Sequence, residues 1–428
     1  MERILLSRYV DIFKEIVDII HNDYSGYKDK RNWDNPTYFI EKIEKLEIKN
    51  LITPKIFVNT VNEYLMVFQD QHMSFSYKSN GDIKKLTRGF RTRRYKDALY
   101  VIETNEENRF PVGTKITSID NKLIHEIAAK YSIFSEITHE RQDWQHILDI
   151  ASIIEIENLN GELQTLKLKD YEFISTNLKP SLEEINEETV LISLPSFFNV
   201  DRNLEFLRKN ENKINKCTNL IIDVRENSGG SSESYTALLP YIFFPNESPN
   251  TKSELREFNY TTRNSDLFIK LCNEFSKNIS DENTLKLFDE IIEKCNEYRG
   301  KGFIIEDFTE ENQEKLKDFK GTLLPKTILV MIDSYCASSA EYFVEICKES
   351  SKVKVIGRAT MGVNDYSDIL IKEWDDTYML YYPMSRRINR TQNHPIYGKG
   401  TQPDYYIPWS PEHLKKDIDL QNAIKLLK

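Results

Sequence analysis

The sequence has few cysteines, and they are scattered along the chain. Its 428 residues include five, at Cys217, Cys272, Cys295, Cys336 and Cys347. They show neither the close pairs of a zinc site nor the dense, even-numbered pattern of a disulfide framework. This pattern predicts no disulfide bonds and a reducing, cytoplasmic setting. We expect no metal and no cofactor.

Long apolar runs and an excess of positive charge are also missing. The longest apolar runs have the length of strands, which argues against a transmembrane helix. Charged residues interrupt the N-terminal segment MERILLSRYVDIFKEIVDII, which fits an amphipathic helix and not a signal peptide. The net charge of −10 disfavours nucleic acid as the main partner, because phosphate binding needs a basic surface. We expect neither a membrane nor a nucleic acid as partner.

The N-terminal part is predicted to be helical and to end in a strand. We assign residues 1–84 to this region, in which Thr53-Pro54 is a typical helix start. After Asp70-Gln71-His72 the apolar period changes to the alternation of a half-buried strand over residues 73–77. His72 is therefore predicted to lie at a junction between a helix and a strand.

The remaining chain divides into a small β-rich module and a larger α/β domain. Short strand patterns with one helix mark the module at residues 85–175. Within residues 180–428, four apolar, β-branched runs alternate with helical patterns, at 190–195, 219–224, 327–333 and 353–357. This alternation predicts a mainly parallel sheet covered on both faces. A charged helical stretch at about 250–320 is predicted to be an insertion in this domain.

One stretch, TILVMIDSYCASSAE, places a hydroxyl between a buried strand and a helix. Ser338 lies in its loop, where the exposed N–H groups of a helix N-terminus can stabilise an oxyanion. A serine nucleophile is one interpretation of this pattern. The alternative is that Ser338 or Ser339 caps the helix, with Glu341 completing a capping box.

A second stretch, LIIDVRENSGG, ends a buried strand in a turn with two glycines. If its strand runs parallel to the one before Ser338, both loops lie at the same edge of the sheet, where α/β proteins bind ligands. The N–H groups of Gly229 or Gly230 and of Ser339 could then form an oxyanion hole. His72 is the candidate base, and a structural junction residue is the alternative.

Five motifs in this order carry a family resemblance. IIDVRENSGG is similar to D-x-R-x-N-x-G-G, ASSAE to S-x-x-E with Ser338 as its serine, GRATMG to G-x-x-T-x-G, and GKGTQPD to G-x-G-x-x-P-D. FPVGTKITSIDNK is similar to a PDZ-type segment. Over about residues 60–410 the sequence resembles the C-terminal-processing (tail-specific) serine proteases. The resemblance implies a ClpP/crotonase-like catalytic domain and a PDZ-like module at residues 85–175.

The pattern departs from the family at two positions. Val363 stands where one branch has a catalytic lysine, so the resemblance is to the tricorn-like branch, whose base is the histidine of a D-x-H element, here His72. Tyr397 stands where that branch has an orienting glutamate. Asp365, Tyr397 or a backbone carbonyl remains as the group that orients His72.

The resemblance implies a serine endopeptidase that cleaves extended or C-terminal peptide segments. Ser338 would attack the scissile carbonyl and His72 would accept its proton. One alternative is a catalytically degenerate relative that only binds peptides, and another is the hydrolysis of a small ester or amide. The expected partner is a peptide or protein substrate, and assembly into a homo-oligomer is left open.

Overall fold

The structure, a computed structural model, describes residues 8–77, 86–131, 134, 137–172, 178–249, 255–277, 282–309, 316, 318–375, 377–393 and 395–427. The chain divides into two compact units, each assembled from separate stretches of sequence. Unit 1 comprises Met1–Lys85, Ser253–Phe308 and Asp365–Pro395, and unit 2 comprises Leu86–Lys252, Thr309–Asn364 and Ile396–Lys428.

Unit 1 combines helices with an antiparallel sheet. Its helices are Arg8–Asn22, Pro36–Ile48, Pro54–Leu65, Thr262–Ser276, Glu282–Tyr298 and Ile388–Asn393. In the sheet the order of neighbours is Ser74–Tyr77, Tyr378–Arg387, Leu255–Tyr260 and Gly302–Asp307, and Tyr366–Trp374 also pairs with Tyr378–Arg387. Thr53 caps the third helix through its hydroxyl, with Pro54 at the first helical position, as the sequence predicts.

The segment predicted as a helical insertion contains strands as well as helices. Its two helices are flanked by Leu255–Tyr260 and Gly302–Asp307, which pair with each other and extend the sheet of unit 1. The sequence does not predict these two strands, because both carry charged residues and lack the apolar runs that mark the other strands. The insertion therefore contributes two strands to the sheet that contains Ser74–Tyr77, the strand after His72.

Unit 2 contains a six-stranded, mainly parallel sheet. The order of its strands is Ser181–Glu184, Thr189–Ser193, Asn219–Asp223, Thr327–Ile332, Val353–Gly357 and Tyr405–Tyr406. The first pair is antiparallel and the other pairs are parallel. The helices around it are Val200–Ile214, Leu239–Ile242, Ser339–Lys348 and Ile418–Leu426. The four apolar runs are confirmed as parallel strands within a mixed α/β fold.

Both faces of this parallel sheet are buried. Leu220 and Ile222 pack into one apolar cluster together with residues of the Ser339–Lys348 helix. Ile221 points to the other face and packs into a second cluster, which contains residues of the Ile418–Leu426 helix. Burial on both sides explains why these strands are continuous apolar runs instead of alternating ones.

The β-rich module also belongs to unit 2 and has its own core. Its main strands are Phe90–Tyr95, Ala98–Thr104, Lys115–Ile119, Ile153–Glu157 and Leu163–Lys167, joined by the short strand Lys122–Leu123. The helices Ile124–Ala128 and Gln145–Ile150 pack on this sheet with Trp144 in the apolar cluster. The boundaries predicted at residues 84–85 and 175 lie outside the described residues, and the PDZ-like assignment stays a prediction.

All five cysteines are buried free thiols. Within the described ranges, none of the helices is both long enough and apolar enough to cross a bilayer.

Candidate active site

Ser338 occupies a strained turn between the strand Thr327–Ile332 and the helix Ser339–Lys348. Its backbone has φ 54° and ψ −126°, the conformation of the first central residue of a type II′ turn, which glycine usually occupies. Such a conformation costs about 1–3 kcal/mol for a residue with a Cβ. The side chain is half-buried. Strain of this kind at a half-buried serine is typical of a nucleophile held on a sharp turn from strand to helix.

Ser338 does not cap the helix that follows it. It is the N-cap residue of the Ser339–Lys348 helix, yet its side chain makes no capping hydrogen bond. The hydroxyl of Ser339 is buried and has no hydrogen-bond partner among the described residues. A capping box would direct the carboxylate of Glu341 back toward the N-cap backbone, but this carboxylate binds elsewhere. The interpretation of Ser338 as a helix cap is therefore wrong.

The Glu341 carboxylate binds the loop that carries the G-x-x-T-x-G motif. It accepts hydrogen bonds from the Thr360 hydroxyl and from the N–H groups of Gly362 and Val363. The side chain is completely buried, and this burial raises the pKa of Glu341 to about 7. One buried carboxylate thus joins the helix after Ser338 to the loop at residues 360–363.

The same loop also holds the backbone of the serine turn. The Asn364 side-chain amide donates to the Ser338 carbonyl at 2.8 Å. The Met361 N–H donates to the Cys336 carbonyl, also at 2.8 Å. Hydrogen bonds on both sides of Ser338 can hold the turn in its strained conformation. Asn364 could not be identified from the sequence, because a single polar residue in a loop has no distinguishing pattern.

Gly229 lies directly against the Ser338 side chain. A Cβ added at Gly229, where φ is +105°, would be 2.7 Å from the Ser338 Cβ and 3.2 Å from its Oγ. The glycine is held by Asn227, whose side-chain oxygen accepts the Gly229 N–H at 2.9 Å and whose amide donates to the Leu194 carbonyl at 2.8 Å. The Asn227 carbonyl accepts the Ala337 N–H at 3.0 Å, which joins the glycine turn to the serine turn.

Gly230 brings a second backbone segment close to this turn. It forms a parallel bridge with Phe197, and an added Cβ would lie 2.2 Å from the Phe197 carbonyl carbon. The bridge uses the Gly229 carbonyl and the Ser231 N–H, and does not engage the Gly230 N–H. Ser339 is the first residue of its helix, so its N–H has no intrahelical acceptor. The N–H groups of Gly230 and Ser339 therefore belong to the glycine turn and to the start of the serine helix, the two segments next to Ser338.

Arg141 connects the β-rich module to two loops of the α/β domain. It lies in the 3₁₀ turn His139–Arg141, and its pKa is lowered by burial. The guanidinium donates to the carbonyls of Thr360 at 2.6 Å, Met361 at 3.2 Å, Gly398 at 3.1 Å and Lys399 at 2.5 Å. The module thereby braces the loops that contain the G-x-x-T-x-G and G-x-G-x-x-P-D motifs. No sequence pattern marks this arginine.

His72 lies in unit 1, just before the strand Ser74–Tyr77, and is half-buried. Its Nδ1 is 2.8 Å from the Tyr366 carbonyl oxygen. A carbonyl oxygen can only accept, so Nδ1 carries the proton and Nε2 carries the lone pair in the neutral imidazole. A backbone carbonyl, one of the three groups considered from the sequence, therefore orients this ring.

Asp70 of the D-x-H element builds the turn on which His72 is held. Its Oδ1 accepts the His72 N–H at 3.0 Å, and its carbonyl accepts the Met73 N–H at 3.0 Å. Its Oδ2 accepts the Tyr24 hydroxyl at 2.7 Å. The aspartate thus acts on the backbone of His72 and fixes the direction from which its imidazole leaves the chain.

The two side chains considered as orienting groups lie in different units. Asp365 is fully buried in unit 1, immediately before the residue whose carbonyl binds His72. Tyr397 is half-buried in unit 2. Val363, at the lysine position of the other branch, is buried and donates its N–H to Glu341.

Comparisons with known proteins agree with this fold. The model of peptidase family S41 matches residues 188–407, more than half of the chain. The crystal structure of mature CPAF has a TM-score of 0.58 at 10% identity, covering 98% of this chain and 96% of that chain. Mature CPAF complexed with lactacystin has a TM-score of 0.59 at 10% identity, covering 98% and 97%. A search of curated proteins by sequence found no match.

The match to this family model identifies a hydrolase of the serine-peptidase class. The chain belongs to peptidase family S41, and its substrates are accordingly peptides or proteins.

Replacing Gly229 with alanine is expected to lower peptidase activity by about 10²-fold, because the added Cβ displaces the Ser338 side chain. Gly161→Ala is the matched control, since Gly161 also has a positive φ, of +84°, but its Cβ would meet nothing within 4 Å. Each alanine costs about 1–2 kcal/mol of backbone strain. Activity and urea unfolding measured on both variants separate strain from displacement, and equal activities would contradict the predicted close approach.

Glu341→Gln is expected to change how stability depends on pH. The pKa of Glu341 is raised to about 7 by burial, so the native state binds more protons than the unfolded state between about pH 4.5 and 7. The free energy of unfolding therefore falls with rising pH in this window, and the variant lacks this contribution. Urea unfolding at pH 5 and pH 7 checks the difference. The prediction would be contradicted if the free energy of unfolding changed by the same amount between pH 5 and pH 7 in both proteins.

Proposed function

We propose that the protein is a serine endopeptidase in which Ser338 is the nucleophile and His72 the general base. The observation that carries the proposal is the strained, uncapped conformation of Ser338 against Gly229. Energy stored in such a turn has no structural benefit here, since the hydroxyl makes no capping bond. A nucleophile that must project toward a substrate accounts for it.

His72 suits the role of base because of its tautomer. The Tyr366 carbonyl holds the proton on Nδ1, which leaves Nε2 able to accept the hydroxyl proton of the nucleophile. In a Ser–His–Asp triad a carboxylate does the same and also stabilises the imidazolium. A carbonyl orients the ring in the same way but carries only a partial negative charge. We therefore expect His72 to be well oriented, with an imidazolium that is stabilised less than in a triad.

In the proposed acylation step, the Ser338 Oγ attacks the scissile carbonyl carbon while its proton passes to His72 Nε2. The carbonyl oxygen becomes an oxyanion, which the N–H groups of Gly230 and Ser339 stabilise. Of the two predicted glycines, Gly230 is favoured because the Gly229 N–H already donates to Asn227. The imidazolium then protonates the leaving amine as the peptide bond breaks.

Deacylation repeats these roles with water as the nucleophile. His72 accepts a proton from the attacking water, the same two N–H groups hold the second oxyanion, and the proton returns to Ser338 as the acyl group leaves. The peptide product with the new carboxyl group is released. No metal or cofactor has a part in this sequence of steps.

The β-rich module is proposed to hold the substrate as an extended strand. Its strand Leu163–Lys167 is at the end of the module sheet, and most of its side chains are exposed. An extended peptide can add to such an edge through main-chain hydrogen bonds. Arg141 then offers a physical connection from the module to the loops beside Ser338.

Product mapping tests the peptidase class. Unstructured peptides of about 20 residues (long enough to be bound at both ends) would be incubated with the protein, with either a free or an amidated C-terminus, and the products identified by mass spectrometry. Internal cleavage that disappears in Ser338→Ala supports an endopeptidase. Faster cleavage with a free carboxylate supports capture of the C-terminal end. Peptide binding without cleavage would contradict the proposal and favour a degenerate peptide-binding relative.

A further inference from the structure

A lysine is completely buried in unit 1, near the turn that carries His72. Lys30 has 0% of its surface exposed, and burial lowers its pKa to about 8, against the opposing effect of the carboxylates of Asp70, Asp365 and Asp29. Placing an ammonium group in the interior is unfavourable unless charges and hydrogen bonds compensate for the lost hydration. Such a group calls for a specific role.

Hydrogen bonds connect Lys30 to the backbone of His72. The Lys30 ammonium donates to the Tyr24 hydroxyl at 3.0 Å, which in turn donates to Asp70 Oδ2 at 2.7 Å. The other carboxylate oxygen of Asp70 accepts the His72 N–H at 3.0 Å. Tyr24 is 1% and Asp70 7% exposed, so this chain of contacts is shielded from water and its interactions are strong.

A second contact connects Lys30 to the group that orients the imidazole. The Lys30 Nζ lies 4.1 Å from the centroid of the Tyr366 ring, within the range of a cation–π interaction. The carbonyl of this same tyrosine accepts the hydrogen bond from His72 Nδ1. Lys30 therefore contacts both Tyr24, which is linked to the His72 backbone through Asp70, and Tyr366, which binds the His72 ring.

The carboxylates around this cluster outnumber its cations. Asp29 accepts from the Tyr366 hydroxyl at 3.2 Å and pairs with Arg386. Arg386 also binds Glu257 at 2.7 Å. The carboxylates of Asp70 and Asp365 face Lys30. Removing the ammonium group would leave buried negative charge without its compensating cation, and the cluster would have to rearrange.

We infer that Lys30, acting through Tyr24 and Tyr366, is a positioning residue for His72 and supports the two residues that hold its backbone and its ring. The inference rests on the proposed role of His72 as the general base. Lys30 acts at a distance, since its contacts are with the residues that hold His72. Its effect is on the tautomer and direction of the imidazole, and so on the chemical step.

Lys30→Met and Tyr24→Phe test this inference. Each is expected to lower kcat for peptide hydrolysis by about tenfold to a hundredfold, with KM within about twofold, because a small misplacement of the base weakens the chemical step and not substrate binding. In ¹⁵N NMR spectra of histidine-labelled protein, His72 should be the Nδ1–H tautomer in the wild type and a mixture of tautomers in both variants. Tyr24→Phe removes only a hydroxyl, which keeps the test open if Lys30→Met folds poorly.

Lys352→Met is the matched control. Lys352 is also a buried lysine, 3% exposed, with its pKa lowered to about 8 by burial, but it donates to the carbonyls of Tyr241 and Thr322 in unit 2. Its loss should lower stability and leave the His72 tautomer unchanged. An unchanged tautomer and kcat in Lys30→Met and Tyr24→Phe would overturn the inference. An inactive wild type would overturn the proposed function instead, while the tautomer comparison would still decide the role of Lys30.

Discussion

Ser338→Ala is expected to lower peptide hydrolysis by about 10⁴-fold or more, because it removes the atom that forms the acyl-enzyme. The fold should be retained, since the hydroxyl makes no capping hydrogen bond. The measurement is kcat/KM on a peptide substrate, together with thermal unfolding. Ser334→Ala, in the same loop, is the control for loss of a serine hydroxyl and should keep activity within about twofold.

The strain at Ser338 gives this prediction a second readout. Glycine adopts φ 54° without the penalty that serine and alanine share. Ser338→Gly should therefore have a free energy of unfolding about 1 kcal/mol higher than Ser338→Ala, after allowing for the greater flexibility of unfolded glycine. Both variants should be inactive. Equal stabilities would mean that the turn is not strained, and the main support for Ser338 as nucleophile would be lost.

His72→Ala is expected to lower kcat by about 10²–10⁴-fold, the usual contribution of a positioned base. Substrate binding should change little, so KM should stay within about threefold. Added imidazole should restore part of the activity, because the small base can occupy the space that the side chain leaves.

His125→Ala is the control for His72→Ala. His125 is exposed on the helix Ile124–Ala128 of the β-rich module, and its loss should leave kcat unchanged. A His72→Ala variant with wild-type kcat would contradict the assignment of the base. It would point to a different residue as the partner of Ser338.

Much of the parallel sheet could be predicted because its strands carry an unmistakable pattern. Burial on both faces gives continuous apolar runs, and these were recognised at 190–195, 219–224, 327–333 and 353–357. The strands Leu255–Tyr260 and Gly302–Asp307 were missed because charged residues interrupt them. The discontinuous units could not be predicted either, since contacts between distant stretches leave no local trace.

The approach of the glycine turn to the serine turn followed from topology. Strands Asn219–Asp223 and Thr327–Ile332 are parallel neighbours, so the loops after them share one edge of the sheet. The close contact between Gly229 and Ser338 agrees with that expectation.

The partner of His72 could not be identified from the sequence. Every residue has a backbone carbonyl, so nothing marks Tyr366 as the one that accepts from Nδ1. Lys30 is equally hidden, because a lone lysine after a short turn normally lies on the surface. Its burial is a result of packing between segments far apart in the sequence.

The most direct test of the account is to treat the protein with a fluorophosphonate and locate the label by peptide mass spectrometry. Such a probe reacts with a serine only when a base and an oxyanion hole activate it. We predict a single label on Ser338, lost in Ser338→Ala and strongly reduced in His72→Ala. A folded wild-type protein that takes no label, or is labelled at another serine, would contradict the assignment of Ser338 as the nucleophile.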